Sequence, residues 1–264
     1  MTSTQNASPA FGAAQCSTAH IVALSGGKDS TAMALRLAES EPRDYSYVVT
    51  PTGQELPEMQ EHWKRLSCLL GRKLVKLQGP TMEELVMKWN ALPNWRMRWC
   101  TKEIKIKPFM SYVSAMVPAV VYIGLRADEV GEDAREGTNW KGVEGVTQDS
   151  PLVRWGWGIS RVIQYLSDCG VAIPERTDCD MCFFQRVSEW WRLWHLHRER
   201  FEKAAEWETI TGHTLRTEKP GPWPTSLREL GKRFEAGYVP KGADQLNMRF
   251  DIAERKTMCA WCAR

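Results

Sequence analysis

No stretch of this 264-residue chain is long and apolar enough to cross a bilayer: its longest apolar runs, such as Ala119-Val120-Val121-Tyr122-Ile123, fall far short of the roughly 20 residues required. Residues 1–19 lack the basic start and continuous apolar stretch of a secretory signal; rich in Ser, Thr, Ala and Gln, they are expected to form a flexible leader. Strong charge is also missing. A net charge of +3 leans towards anions but does not by itself establish nucleic-acid binding. There is no internal repeat and no bias towards disorder, since 43% of residues are hydrophobic and 25% charged. A cytoplasmic protein with no membrane partner is expected, long enough to bury one α/β core with a smaller annex.

What is present is sulfur and tryptophan. Eight cysteines without a signal peptide point to reduced thiols, which favours metal or redox chemistry over a disulfide framework. Cys179-Asp180-Met181-Cys182 and Cys259-Ala260-Trp261-Cys262 have the Cys-x-x-Cys spacing that turns two thiolates towards one metal or cluster, and a four-cysteine zinc site is one reading. Cys16, Cys68 and Cys169 have no partner at such spacing. Most of the thirteen tryptophans are expected to pack rather than bind. His195 and His197, two apart on an expected helix, point to different faces and do not share a metal.

The chain alternates strand and helix patterns up to about residue 125. Strands are expected over 20–24, 45–50, 73–77 and 119–125, and helices over 29–39, 57–70, 82–89 and 101–116, the last interrupted at Pro108. This order predicts a mostly parallel, Rossmann-like sheet covered by helices on both faces. Beyond about Pro151 helices and irregular loops take over, with the longest helix expected over 185–208. An α/β domain over 20–165 and a helical, Cys-rich region over 166–264 follow.

The first strand runs into Ser25-Gly26-Gly27-Lys28-Asp29-Ser30. Two glycines after a buried strand turn backbone N–H groups into one concavity, the following helix adds its positive end, and Lys28 adds a full charge. The string is not a Walker A loop, because Asp29 follows the lysine. It resembles the PP-loop of the ATP pyrophosphatase and phosphoadenylyl-sulfate reductase superfamily. Three further segments are similar to that family's motifs: Thr52-Gly53-Gln54-Glu55-Leu56-Pro57-Glu58, Arg98-Trp99-Cys100-Thr101-Lys102-Glu103-Ile104-Lys105, and Gly124-Leu125-Arg126-Ala127-Asp128-Glu129 with Arg135 shortly after.

The resemblance implies an adenine nucleotide α-hydrolase-like fold that binds ATP through Ser25 to Ser30, Thr52, Gly53, Glu55, Gly124 and Arg126. Lys28, Asp29, Arg126 and Glu129 are then the expected catalytic group. Lys28, Arg126 and Arg135 are suited to neutralise a polyphosphate or sulfate, and Asp29 or Glu129 to hold Mg²⁺. It also implies a 4Fe-4S cluster on Cys100, Cys179 and Cys182, with Cys262 or Cys259 as the fourth ligand and Zn²⁺ as the alternative. The usual reductases of the family carry adjacent cysteines where this chain has Trp99-Cys100, and their Glu-Cys-Gly-x-His tail is missing.

Three functions fit: an ATP-dependent sulfur-transfer enzyme that adenylates its acceptor, as in tRNA thiolation or DNA phosphorothioation; a (phospho)adenylyl-sulfate reductase that releases sulfite; and a non-catalytic nucleotide sensor. The expected partners are an adenine nucleotide, a sulfur donor or thiol reductant, a nucleic-acid acceptor and further copies of the chain. Arg96-Met97-Arg98-Trp99 with Lys102, Lys105 and Lys107 is the first surface expected to meet a nucleic acid, and Trp190, Arg192, Arg198 and Arg200 the second.

Overall fold

The computed structural model describes residues 17–130, 143–218 and 220–243. Five parallel strands make one sheet: β1 (Ala19–Ala23), β2 (Tyr45–Val49), β3 (Val75–Lys76), β4 (Ala119–Tyr122) and β5 (Val146–Asp149), in the order β3-β2-β1-β4-β5. The connections are α1 (Lys28–Ser40), α2 (Pro57–Leu69), α3 (Met82–Trp89) and α4 (Lys107–Ser114); α5 (Pro151–Arg154) and α6 (Ile159–Asp168) follow the sheet. The expected Rossmann-like architecture is therefore present, with one strand more than expected. The short sequence Val146-Thr147-Gln148-Asp149 lies at the sheet edge, half-buried, and carries no apolar run to betray it.

Side chains of the strands alternate between two covered faces, as their period of two requires. Val22, Leu24, Tyr45, Tyr47, Val49 and Tyr122 point into a core with α1, α2 and α6. Ile21, Val48, Ala119 and Val121 point the other way, against Val113, Phe109 and Tyr112 of α4. A third core gathers α7 (Val187–Leu196), α8 (Arg198–Thr211) and α9 (Leu227–Glu235) around the fully buried Trp190, Trp207 and Phe201, and joins them to α3 and to Leu56 and Ile104. Among the described residues, only Trp89 and Trp95 of the tryptophans are exposed. No helix among them is long and apolar enough to cross a membrane.

Two helices differ from expectation. The pattern over 185–208 reads as one helix, but the chain breaks at His197 (φ −135°, ψ 57°), where the imidazole Nε2 lies 2.9 Å from Glu58 Oε1. Splitting there lets α7 and α8 fold against each other and bury tryptophans from both. The segment over 101–116 also changes pitch. Cys100–Ile106 is a π-helix, in which the Lys107 N–H reaches back five residues to the Lys102 carbonyl, and ordinary α geometry begins at Lys107. Pro108 follows at the junction, where its missing N–H costs least.

Strand order reverses between β1 and β4. At such a switch point the loops leaving the two strands diverge to opposite faces, and the crevice between their carboxyl ends is where open α/β sheets bind ligands. Gly124, just past β4, meets the first turn of α1 so closely that an added Cβ would stand 3.0 Å from the Ser30 nitrogen and 3.2 Å from the Asp29 carbonyl carbon. Both are backbone atoms, which cannot swing aside.

Gly124→Ala should therefore lower stability by about 1–3 kcal/mol through overpacking, read as a drop in the urea midpoint. Gly27→Ala is the contrast: its Cβ would meet Ser25 Oγ at 3.4 Å and Thr177 Oγ1 at 3.6 Å, ordinary contacts, and the stability loss should be clearly smaller.

Candidate active site

The loop between β1 and α1 is held in shape by its own serines. Gly27 N–H donates to Ser25 Oγ (3.2 Å), Gly26 N–H donates to Ser30 Oγ (3.2 Å), and the two hydroxyls lie 2.9 Å apart. Gly26 takes φ +83°, and an added Cβ would collide with Met59 Cε at 2.1 Å. Only glycine fits. From α2, Trp63 Nε1 donates to the Ser25 carbonyl at 3.3 Å, so this helix buttresses the loop from behind. The first N–H groups of α1 have no partner within the helix and, with the positive helix end, face whatever occupies the loop. Lys28 is half-exposed, with Nζ 3.4 Å from Asp29 Oδ2, and can swing towards an anion.

Arg126 sits across the switch point. Its guanidinium meets Asp29 (2.9 Å), Asp128 (2.8 Å) and Glu129 (3.0 Å), and its N–H donates to Glu129 Oε2 at 3.0 Å. The predicted catalytic group of Lys28, Asp29, Arg126 and Glu129 is thus brought together, but with Arg126 shared among three carboxylates. Asp128, a residue that sequence reasoning passed over, accepts the Ile159 N–H at the start of α6, and this bond together with Arg126 holds its carboxyl below the usual range. Asp29 Oδ1 is buried without a hydrogen-bond partner among the described residues. A carboxylate oxygen left so beside a phosphate loop is suited to Mg²⁺, which takes one or two carboxylates alongside substrate phosphates. Arg135 lies outside the described residues.

Thr52, Gly53 and Glu55 form a closed turn. The Glu55 carboxylate accepts from Thr52 N–H (2.6 Å), Thr52 Oγ1 (2.7 Å) and Gly53 N–H (3.1 Å). The turn is tied forward to α3 by Met82 N–H on the Thr52 carbonyl (3.0 Å). It is tied to the cysteine segment by Asp180 N–H on the Gln54 carbonyl (2.9 Å). The turn after β2 and the cysteine segment are therefore linked directly by a backbone hydrogen bond.

Cys179 and Cys182 share a hydrogen bond between their thiols. It pulls Cys182 down to about 7, helped by the Phe184 N–H, while the same bond and burial push Cys179 up. Burial raises Cys100, which feels Lys105 and Cys182 as neighbours. Three sulfur donors from two segments thus face one region, and their chemistry fits a thiophilic centre. Only two of the three thiols are in mutual contact, and among the described residues no group of three His, Cys, Asp or Glu side chains is gathered closely enough to hold a metal ion. Cys259 and Cys262, and also Cys16, lie outside the described residues. Cys68 is exposed on α2, and Cys169 packs beside the α1–α6 core.

A cavity of about 450 Å³ joins these parts. Ser25, Trp63, Thr177, Cys179 and Lys105 line it together, and Val48, Phe109 and Ile123 make an apolar wall at the carboxyl ends of the strands. Such a volume and mixture suit a nucleotide-sized ligand. Thr177, Phe109 and Trp63 were missed from the sequence, since they reach the cavity only through packing of separate elements.

The two surfaces expected to meet a nucleic acid fare differently. Trp95 is exposed, with the Arg96 guanidinium 4.7 Å from its ring centre, and Arg98 lies 5.5 Å from the ring of the exposed Phe184. The residues of the second surface are largely engaged within the fold. Trp190 is fully buried, Arg192 pairs with Glu175, Arg200 with Asp180, and Arg198 with Glu202 and Glu235, because α7 and α8 spend these residues on packing against their neighbours.

A glycine-rich loop at the switch point of a doubly wound parallel sheet defines a Rossmann-type α/β domain. The phosphoadenosine phosphosulfate reductase domain family matches residues 19–175, more than half of the chain, and the chain belongs to that family. An uncharacterized protein of Methanocaldococcus jannaschii is 27% identical over 111 residues, 41% of this chain and 23% of that protein. The chain thus spans less than a quarter of that relative's length. Among solved structures, a phosphate complex of phosphoadenylyl-sulfate (PAPS) reductase from Candida auris gives a TM-score of 0.45 at 15% identity, over 59% of this chain and 75% of that one.

His62, beside Trp63 on α2, is almost fully buried, and burial pushes its imidazole down to about 4, against the opposing pull of the Gly26 backbone. Its ordinary value is 6.5. Above that pH folded and unfolded chains both hold it neutral, and stability is undiminished. As pH falls from 6.5 towards 4 the unfolded chain takes up a proton that the folded one refuses, and up to about 3 kcal/mol is lost. Urea titrations across this window should show that slope, and His62→Gln should flatten it.

Proposed function

We propose that this protein binds ATP at Ser25 to Ser30 and activates an acceptor by adenylation for sulfur transfer, with a nucleic acid as the acceptor. The observation that carries the reading is that one cavity is lined by Ser25 of the β1–α1 loop, by Cys179 of the thiol pair and by Lys105. Nucleotide and sulfur chemistry then share one chamber. The acceptor oxygen attacks the α-phosphorus and pyrophosphate leaves; a sulfur nucleophile next displaces AMP from the adenylated acceptor. Lys28 and the α1 N-terminus would hold the departing pyrophosphate, Asp29 or Glu129 a Mg²⁺ ion, and Lys105 would attract an anionic sulfur species towards the cavity.

The intact Ser-Gly-Gly-Lys-Asp-Ser loop supports ATP over a sulfonucleotide, because it resembles the loop of family members that cleave ATP between α and β phosphates. The acceptor reading draws on Trp95, Arg96, Arg98 and Phe184, an exposed set of aromatic faces and guanidinium groups on which unpaired bases can stack. This platform flanks Cys100 and Cys182 in the sequence. Cys100, Cys179 and Cys182, with Cys259 or Cys262, would hold a 4Fe-4S cluster, which when bound supplies redox chemistry beside the nucleotide.

A second reading, a sulfonucleotide reductase, draws on the contact between the Cys179 and Cys182 thiols, which favours a thiolate on Cys182 able to attack sulfur. One experiment separates the two. Incubation with ATP and, separately, with adenylyl sulfates should give AMP and pyrophosphate from ATP alone; sulfite from the sulfonucleotide without ATP cleavage would replace the first reading by the second. Lys28→Ala should weaken ATP binding by about 1.5–3 kcal/mol, the worth of a charge-assisted contact, measured by calorimetry. Anaerobically purified protein should carry iron, acid-labile sulfide and broad visible absorbance, and Cys179→Ser should remove them; colourless protein with stoichiometric zinc would point to the four-cysteine alternative.

A further inference from the structure

A second cavity, of about 470 Å³, shares no lining residue with the nucleotide chamber. The two lie on opposite sides of one stretch of chain: Glu175 and Arg176 line this cavity, Thr177 and Cys179 the other. Arg186 and Arg192 of the α7 region and Lys241 also enter it, above an apolar floor that includes Leu56 and Leu193. Four cationic side chains thus meet the lining carboxylates Glu175 and Glu189, with Glu58 close by, acting on Arg192 and bonded to the lining His197. Glu175 is taken by Arg192 at 2.6 Å. Glu189 is divided between Arg186 at 3.5 Å and Arg176 at 3.9 Å, while also accepting the Arg186 N–H at 2.7 Å. Lys241 has no carboxylate partner among the described residues.

Arg176 is the telling residue. Its side chain is nine-tenths buried, yet its Nε has no hydrogen-bond partner among the described residues, while Nη2 donates to the Cys179 carbonyl at 3.0 Å. A buried guanidinium left short of acceptors is costly unless a ligand completes it. Arginine forks match tetrahedral oxyanions.

We infer that this cavity is a second binding site, for a tetrahedral oxyanion of the phosphate or sulfate type, held by Arg176, Arg186 and Lys241. It is independent of the nucleotide reading of the first chamber. Arg186 is exposed and Lys241 lies at the surface, so they form the mouth, and Arg176 forms the base. Because Arg176 also holds the Cys179 carbonyl, the occupant bears directly on the backbone that carries the thiol pair.

The test is calorimetric titration of the full chain with inorganic phosphate. Arg186→Ala combined with Lys241→Ala, both at exposed positions, should weaken phosphate binding by about tenfold or more and leave ATP affinity unchanged. Arg176→Gln, checked for folding by circular dichroism, should do the same. Single-stranded oligonucleotides with and without a 5′-phosphate identify the source of the group: displacement by both points to an internal phosphodiester, by the phosphorylated one alone to a terminal monoester, and by neither to a free anion. The inference is overturned if wild-type protein binds no phosphate at millimolar concentrations. It is equally overturned if binding survives in the double variant and disappears in Lys28→Ala, which would assign the anion to the first chamber.

Discussion

The contact between Arg126 and Asp29 spans the one place where this sheet changes direction. Parallel strands on either side of β1 send their helices to opposite faces, so the loops that leave the paired ends of β1 and β4 diverge. The 2.9 Å ion pair ties them together, with both side chains largely shielded from water. Gly124 permits it by letting the chain leaving β4 touch the backbone of Ser30. The same pair sets the charge of the crevice: Asp29, Asp128 and Glu129 all lie on Arg126, and the half-exposed Lys28 stands 3.4 Å from Asp29 beside the loop. On the function proposed above, a polyphosphate would compete with these carboxylates for Arg126, and a divalent ion would relieve that competition by taking up the carboxylates it frees.

Around this point the architecture is a relay of backbone hydrogen bonds rather than of side chains. The Thr52 to Glu55 turn saturates its own carboxylate, then gives its carbonyls to α3 on one side and to Asp180 on the other. Leu56 carries the turn into the helical core of α7 to α9. The cysteine segment thus hangs between two cores, one built on the sheet and one on tryptophans. Asp180 is buried there and pairs with Arg200 of α8, which ties the segment to the second core as firmly as Gln54 ties it to the first.

Much of this was legible from the residues. Strand and helix periods over 20–125 gave the parallel layers, and Ser25 to Ser30 marked the loop where the first strand ends, since glycine after a buried strand has few other uses. What escaped depended on tertiary partners. The edge strand at Val146–Asp149 is too polar to show a period. The break at His197 hides inside an uninterrupted apolar repeat, because what splits the helix is a contact with Glu58, 139 positions away. Trp63 and His62 look like ordinary residues of an amphipathic helix, and only the packing of α2 under the loop reveals what they support. The arginines of α7 and α8 read as a cationic surface for the opposite reason: their acidic partners come from other elements.

The π-helical segment at Cys100–Ile106 carries a meaning of its own. In an α-helix residues five apart diverge around the axis, whereas an i→i+5 repeat brings them back to one side. Cys100 and Lys105 are five apart, and it is this wider winding that sets the ammonium group beside the thiol. The alignment of charge and sulfur is thus encoded by chain length rather than by residue type. Loss of a single residue from the segment would rewind it to the tighter pitch and rotate the two groups out of register, even with every side chain of the pair retained.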